Sequence, residues 1–337
     1  MSVVKNIKVA SFFMGGGGLD LGFEKAGFET VWGNEYDKTI WATIEHNFPD
    51  VKLDKRSITE VEPKDVPDVD GFVGGPPCQS WSEAGAGRGI EDKRGKLFFD
   101  YIRILKEKQP KFFLAENVSG ILHPKHKTAF ENILKSFEEV GYNISYKLLN
   151  ANDFDVPQDR MRLFIIGYHK SLNKTFVFPQ SHIYKPILKD IISNLEDPKP
   201  ALATQKTNGE TNLSIPNHEY MTGDFSSIYM SRNRVRSWEE PSFTIQAGGR
   251  HAPIHPQAPK MLFVEQNIRI FVPTQEHLYR RLSVRECARI QTFPDNHIFK
   301  YTNVADGYKM VGNAVPVNLA YNIAKVIYED LKDTIKN

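Results

Sequence analysis

A short apolar run, Val9 to Phe13, passes directly into Met14-Gly15-Gly16-Gly17-Gly18 and then into an amphipathic segment, Leu19 to Ala26, that Gly27 stops. Nothing else in the chain limits its fold as much. Buried strand, glycine turn and helix form the opening of a βαβ nucleotide-binding unit. The glycines let a ligand approach the backbone, and the start of the helix leaves N–H groups unpaired. A flexible turn is the plainer alternative. The next strand, Phe28 to Gly33, ends in Asn34-Glu35. That acid sits near the spacing of about 20 residues expected of a carboxylate that accepts from both ribose hydroxyls.

A second loop, Gly74-Gly75-Pro76-Pro77-Cys78-Gln79, follows the apolar run Val69 to Val73. Two glycines turn the backbone and two prolines stiffen it, so a thiol is presented at the carboxyl edge of a sheet. Ser80 to Gly89 is rich in small residues, carries Trp81 and Arg88, and is suited to closing over a substrate; a solvent loop is the alternative. Leu97 to Lys108 has helical apolar spacing. Lys111 to Ala115 reads as a strand with Glu116-Asn117-Val118 at its end. A carboxyl sharing a rim with a thiol suggests nucleophilic attack assisted by an acid. Ser119 to Gly141 looks helical in its second half, and Ile144 to Leu149 and Leu163 to Gly167 read as further strands. Gln158-Asp159-Arg160-Met161-Arg162 heads the latter. Arginines two apart point to one side of a strand, which suits holding a phosphate or a carbonyl; surface ion pairs are the alternative.

From Phe178-Pro179 to about Pro273 the chain turns rich in Pro, Asn, Ser, Thr and His, as in a second, irregular domain. There Arg232, Arg234 and Arg236 recur at every second residue and would share one side of an extended strand. Arg250 follows Gly248-Gly249. Arginine reads guanine in the major groove and also clamps phosphates; a solvated edge strand is the alternative. Ser283-Val284-Arg285-Glu286 has the capping-box form and opens a short helix through Gln291, with Cys287 packed inside it. Gly312 to Pro316 reads as a tight turn before a terminal amphipathic helix, Leu319 to Leu331. Among 337 residues there is no apolar run of membrane-spanning length and no signal-peptide core. The two cysteines lie too far apart in sequence for metal-ligand spacing or a disulfide framework, as suits a reducing cytoplasm. A net charge of +2 leaves nucleic-acid binding to a local basic face.

In this order the pieces resemble the DNA (cytosine-5) methyltransferases. The match rests on Phe13-x-Gly15-x-Gly17-Gly18, Glu35, Pro76-Pro77-Cys78-Gln79, Glu116-Asn117-Val118, Gln158-x-Arg160-x-Arg162, Arg281-Leu282 through Phe293-Pro294, and Gly312-Asn313. The resemblance implies an α/β fold: a Rossmann-like, S-adenosylmethionine-dependent methyltransferase with a mostly parallel sheet, plus a smaller irregular target-recognition domain. Residues 1–178 and 305–337 would form the catalytic and cofactor-binding domain, and 179–304 the domain that reads DNA. The segments Met230 to Arg236, Pro241 to Gln246 and His255 to Pro259 are similar to those of members that modify GGCC in bacterial type II restriction-modification systems.

The chemistry implied has the Cys78 thiolate adding to C6 of cytosine, which makes C5 nucleophilic. Glu116 would bond N3 and N4. Arg162, with Arg160, would hold O2 and the active-site loop. C5 would take the methyl of S-adenosylmethionine, leaving S-adenosylhomocysteine, on a base flipped out of the duplex. The cofactor would be held by Phe13, Gly15, Gly18, Glu35, Tyr36, Ser57, Ile58, Pro77, Leu97, Asn313 and Ala314. Double-stranded DNA would be met by Ser82, Arg88, Arg232, Arg234, Arg236 and Arg250. No metal is implied. The resemblance further implies a monomer in the bacterial cytoplasm, beside a cognate restriction endonuclease that is not a physical partner. Met14, Ser11, Arg56 and Ser57 depart from the family pattern, Ser57 standing where Asp is usual. Met14 either crowds the glycine loop or faces the core. Together these changes predict weaker S-adenosylmethionine binding with the mechanism unchanged. An RNA cytosine-5 methyltransferase and a DNA-binding protein with a weakened cofactor site are the alternative readings.

Overall fold

In the computed structural model, which describes residues 6–76, 97–209 and 213–335, the apolar runs assemble into one seven-stranded sheet. Its strands are β1 (Ile7–Phe12), β2 (Phe28–Asn34), β3 (Lys52–Asp54), β4 (Gly71–Gly74), β5 (Phe112–Val118), β6 (Tyr142–Asn150) and β7 (Met161–His169). They lie in the order β3-β2-β1-β4-β5-β7-β6. The first five run parallel, and β7 is antiparallel to both its neighbours. Along β5, Phe112 and Leu114 enter one core while Phe113 and Ala115 enter the other. On β7, Phe164 and Ile166 alternate in the same way with Leu163 and Ile165. A strand covered on both faces has no polar side, which is why these segments are near-continuous apolar runs.

The helices are α1 (Gly18–Lys25), α2 (Trp41–Asn47), α3 (Leu97–Lys108), α4 (Lys127–Glu139), α5 (Leu188–Ile192), α6 (Val284–Ile290), α7 (Val304–Asn313) and α8 (Val317–Ile335). Leu19 and Phe23 of α1 and Leu319, Ile323 and Ile327 of α8 cover one face of the sheet. Phe98, Tyr101 and Leu105 of α3, with Phe130, Ile133 and Phe137 of α4, cover the other. These sets fall on the three-and-four spacing of a single helix face. The expected capping box opens α6: Glu286 N–H donates to Ser283 Oγ at 3.0 Å, and Ser283 N–H to Glu286 Oε2 at 2.7 Å. Cys287 is buried inside that helix. No helix among the described residues is long and apolar enough to cross a membrane.

Besides α2, β3 and α5, which fall where no element was expected, two stretches differ from expectation. Helix α7 occupies a stretch in which only the turn at Gly312 was foreseen. Gly307 and Gly312 weaken its intrinsic helicity, but burial of Val304, Tyr308 and Val311 decides the outcome. The arginine segment 231–236 does not form the expected strand. A 3₁₀ turn at Tyr229–Ser231 leads into a single bridge, Val235 to Ile254. Asn233 explains this, because its side chain bonds both the N–H and the carbonyl of Val235 and so competes with a ladder. Apart from α5, α6 and short 3₁₀ turns, the described remainder of 179–304 is irregular except for two small two-stranded sheets. One pairs β8 (Lys199–Pro200) with β9 (Glu219–Tyr220), the other β10 (Leu262–Glu265) with β11 (Ile268–Ile270).

The connections out of β1 reverse direction, since β1 lies between β2 and β4. A crevice therefore opens at the carboxyl ends of these strands. The glycine loop after β1, Glu35 after β2 and Gly75-Pro76 after β4 all gather there.

Candidate active site

Phe13 leaves β1 with φ 54°, in the left-handed region, and Gly15 follows at φ 58°. For Phe13 this costs on the order of 1–3 kcal/mol. The loop is held by Met14 N–H on the Asn34 carbonyl and Gly17 N–H on the Met14 carbonyl, both at 3.1 Å. The turn aims Gly15 N–H at Glu35 Oε2, 2.9 Å away, while Asp37 N–H donates to Oε1 at 2.7 Å. Burial lifts the Glu35 pKa, and these two N–H groups oppose the rise. A carboxylate offers about four acceptor sites. The chain's own backbone fills two, and two remain for neighbouring hydroxyls, a donor set that fits a ribose. Beside it the Tyr36 ring is 72% exposed.

The other cofactor candidates divide. Leu97 opens α3 half-buried; Asn313 is exposed at the end of α7, and Ala314 beside it is buried. A Cβ on Gly18 would lie 2.2 Å from the Val315 carbonyl oxygen, so that glycine serves the close approach of α1 to the chain entering α8. Ile58 keeps its side chain in the core. Ser57, expected among the residues that hold the cofactor, spends its hydroxyl on its own 3₁₀ turn, Ile58–Glu60: it bonds Thr59 Oγ1 at 2.8 Å and accepts from Thr59 N–H at 3.4 Å. Arg56 turns outward between Asp54 and Asp65. Met14 faces the core, its sulfur packed where a Cβ on Gly33 would sit 2.7 Å away. Ser11 is buried.

Glu116 lies within β5 rather than beyond it, and Arg162 on β7 stands opposite Val118. Arg162 Nε is 3.0 Å from Glu116 Oε1, with both side chains largely buried. Burial raises the Glu116 pKa; Arg162 and, more weakly, Arg160 lower it. The proline loop starts against this pair. A Cβ on Gly75 would fall 3.1 Å from Glu116 Oε2, and Asn117 Nδ2 donates to the Pro76 carbonyl at 3.3 Å. Pro77, Cys78, Ser82 and Arg88 lie outside the described residues. Arg160 departs from its expected place beside the cytosine. Its guanidinium is buried and donates to the carbonyls of Ile245 (2.9 Å), Gly312 (2.7 Å) and Ala314 (3.0 Å). Three of its bonds go to backbone carbonyls while Nε has no hydrogen-bond partner, and its influence on Glu116 is through charge.

Two of the four candidate reading arginines are likewise engaged within the protein. Arg234 donates to the carbonyls of Tyr229 (2.9 Å) and Ile228 (3.2 Å) and stacks on the Tyr229 ring. Arg236 pairs with Asp159 at 3.0 Å and Glu240 at 3.2 Å and covers the Phe243 ring. Arg232 and Arg250 are exposed. Arg250 stands at the rim of a cavity of about 790 Å³, with His251 and Asp224.

Sequence reasoning gave no role to Asn117, which anchors the proline loop, or to Asp37 and Lys309, which pair across the rim. Asp37-x-Thr39 does carry the signature of an Asx turn, and Thr39 N–H donates to Asp37 Oδ1 at 3.0 Å. Nothing local marks Lys309, whose partner is 272 residues away.

The family model described as C-5 cytosine-specific DNA methylase matches residues 7–329. The type II methyltransferase M.MthTI of Methanothermobacter thermautotrophicus is 58% identical over 330 residues, covering 98% of this chain and 99% of that one. M.FnuDI of Fusobacterium nucleatum, also a type II methyltransferase, is 56% identical over 334 residues, covering 98% and 96%. A triple mutant of DNMT2 from Spodoptera frugiperda matches with a TM-score of 0.69 over 96% of this chain and 100% of that one. At 17% identity that likeness is one of fold.

Proposed function

The chain belongs to the C-5 cytosine-specific DNA methylases, and on that premise we propose that it methylates the inner cytosine of GGCC in double-stranded DNA, as the modification enzyme of a type II restriction-modification system. The observation that carries the reaction is the Glu116–Arg162 pair, packed against the start of the Pro-Pro-Cys loop at the rim that also holds Glu35. The choice of GGCC rests on Met230 to Arg236, Pro241 to Gln246 and His255 to Pro259, which are similar to the HaeIII modification methylase. The enzyme acts as a monomer, and a cognate endonuclease cuts the unmodified site.

In this reading residues 179–304 seat the duplex, with exposed Arg232 and Arg250 reading bases, while Arg234 and Arg236 shape the surface that presents them. The target cytosine leaves the stack, at a cost of a few kcal/mol. Cys78 forms a bond to C6, and electron density moves to C5. Glu116, whose pKa burial raises against the pull of Arg162 and Arg160, shares a proton with N3 so that charge does not build up on the ring. Arg162 fixes that carboxyl and bonds O2. S-adenosylmethionine, when bound, supplies an electrophilic methyl group. Glu35 takes its ribose hydroxyls, Phe13 and Gly15 shape the turn beneath it, and Tyr36 stacks on its base. Loss of the C5 proton then expels the Cys78 thiolate.

The test is purified protein with S-adenosylmethionine and plasmid DNA, read by base-resolution mapping of 5-methylcytosine. Methylation confined to GGCC supports the whole reading. Another motif would keep the chemistry and overturn the specificity. Cys78→Ser should abolish methylation and leave S-adenosylmethionine binding in place; a Cys78→Ser protein that still methylates would overturn the covalent route.

A further inference from the structure

The rim around Glu35 carries a second carboxylate. Asp37 lies two residues on, and its N–H fixes Glu35 Oε1 at 2.7 Å. Glu35 therefore depends on where Asp37 stands, and it also feels that neighbour's negative charge. Asp37 is itself held from two directions. Thr39 donates to Oδ1 through both its N–H and its hydroxyl, at 3.0 and 2.8 Å. Lys309 of α7 donates to Oδ2. Burial works against ionising Asp37, yet Lys309 and Thr39 outweigh it and keep the carboxyl below its ordinary range. The same ammonium also lowers the Glu35 pKa against the rise that burial and Asp37 impose.

Helix α7 is a firm base for that lysine. The adjacent Tyr308 is fully buried, donates to the Leu282 carbonyl at 2.5 Å and accepts from Met221 N–H at 3.2 Å. The next residue, Met310, places its carbonyl oxygen where a Cβ on Gly16 would lie 3.1 Å away, so the helix also bears on the glycine loop. The helix ends at Asn313, beside Ala314. One rigid element thus abuts the loop under the ligand, the tether of the ribose acid and the turn that closes the rim.

We propose that Lys309 is a positioning residue for the nucleoside part of the methyl donor: its ion pair with Asp37 sets the placement of Glu35. This rests on the reading of Glu35 as the ribose ligand. Lys309 acts through Asp37, to which its ammonium donates, so it should act on donor affinity and leave the chemical step alone.

The test is equilibrium binding of S-adenosylmethionine to the full chain by calorimetry, with kcat measured at saturating donor. Lys309→Met should raise Kd about tenfold, the worth of one charge-assisted hydrogen bond, with kcat within about twofold of the parent. Lys309→Arg should restore the parent Kd. Adding Asp37→Asn to Lys309→Met should weaken binding no further, because the two act as one unit. Glu35→Gln is the reference. If Glu35→Gln weakens binding and Lys309→Met does not, or if the double variant is additive, the positioning role is overturned. If Glu35→Gln binds as the parent does, the reading of Glu35 itself is what fails. A drop in kcat at unchanged Kd in Lys309→Met would also overturn the proposal. Lys309 is only partly buried, and should its methionine variant fail to fold, Lys309→Gln read against Lys309→Arg gives the same comparison.

Discussion

Glu116 is a carboxyl pulled two ways, with burial raising its pKa and Arg162 at 3.0 Å lowering it. A group balanced like this is sensitive to small displacements, and Gly75 is the residue placed to cause one. An alanine methyl there would sit 3.1 Å from Glu116 Oε2, tighter than ordinary contact, so the carboxyl must give by a few tenths of an ångström. Gly75→Ala should lower kcat by roughly tenfold or more, since misplacement of order 1 Å costs about a hundredfold. Donor Kd, measured in parallel, should not move; an unchanged kcat would mean that the carboxyl has slack. Asp20 poses a different problem. It is fully buried on α1, and burial lifts its pKa from 3.8 to about 7, the Ser11 hydroxyl opposing the rise and Glu24 adding to it. A carboxyl whose folded pKa lies above its unfolded value binds protons more tightly when folded. Its contribution to stability therefore falls as pH rises from about 4 to about 7, and is level above that. Asp20→Asn removes the ionisation. The variant should gain thermal stability over the parent at pH 8, by on the order of a few kcal/mol, and show a flatter Tm profile between pH 4 and 7. Parallel profiles would sink the assignment.

The sheet's strands other than β3 were legible to within a few residues, the inner ones because burial on both faces writes them as apolar runs; the three-residue edge strand β3 was not read. Helix α3 matched its expected span, Leu97–Lys108, since its apolar spacing is regular and ends in lysines. The terminal helix ran longer than read, Val317–Ile335, chiefly at its carboxyl end, where exposed Asp333 and Thr334 leave little periodic trace. Helix α7 was missed for the opposite reason. Its two internal glycines look like punctuation, and only its packing partners, which lie far off in sequence, make it a helix. The arginine segment failed as a strand through Asn233, a local competitor that period-two counting ignores. In the site, Glu35 and Glu116 were readable because each stands at or near the carboxyl end of a strand, where topology fixes position. The partners of Arg160, Arg234 and Arg236 within the protein were not readable, because a charge looks the same in sequence whether it faces solvent, ligand or a backbone carbonyl. Lys309 and Asn117 could not be read, as their roles exist only once distant segments meet.

Arg160 is where the parts of this molecule are joined. The turn Gln158–Arg160 leads into β7; Ile245 belongs to the irregular segment; Gly312 and Ala314 flank the rim between α7 and α8. One guanidinium reaches carbonyls in the last two. A parallel chain of amides runs beside it, with Gln158 Nε2 donating to Gln291 Oε1 and Gln158 Oε1 accepting from Ile245 N–H, both at 2.9 Å. Seating of the segment proposed to read DNA and the shape of the rim proposed to hold the donor therefore share one fastener. A lysine keeps the charge but not the planar fork, so it can satisfy only part of this set and leaves buried carbonyls unpaired. Arg160→Lys should then lower Tm, and should weaken S-adenosylmethionine Kd and kcat/KM for DNA together, each by roughly tenfold for a shift of a few tenths of an ångström to 1 Å. Arg232→Ala, on the exposed side of the same segment, should weaken DNA alone. The pair of variants separates a joint from a contact: if Arg160→Lys spares donor affinity while DNA activity falls, the two sites are independent and the guanidinium merely anchors the irregular segment.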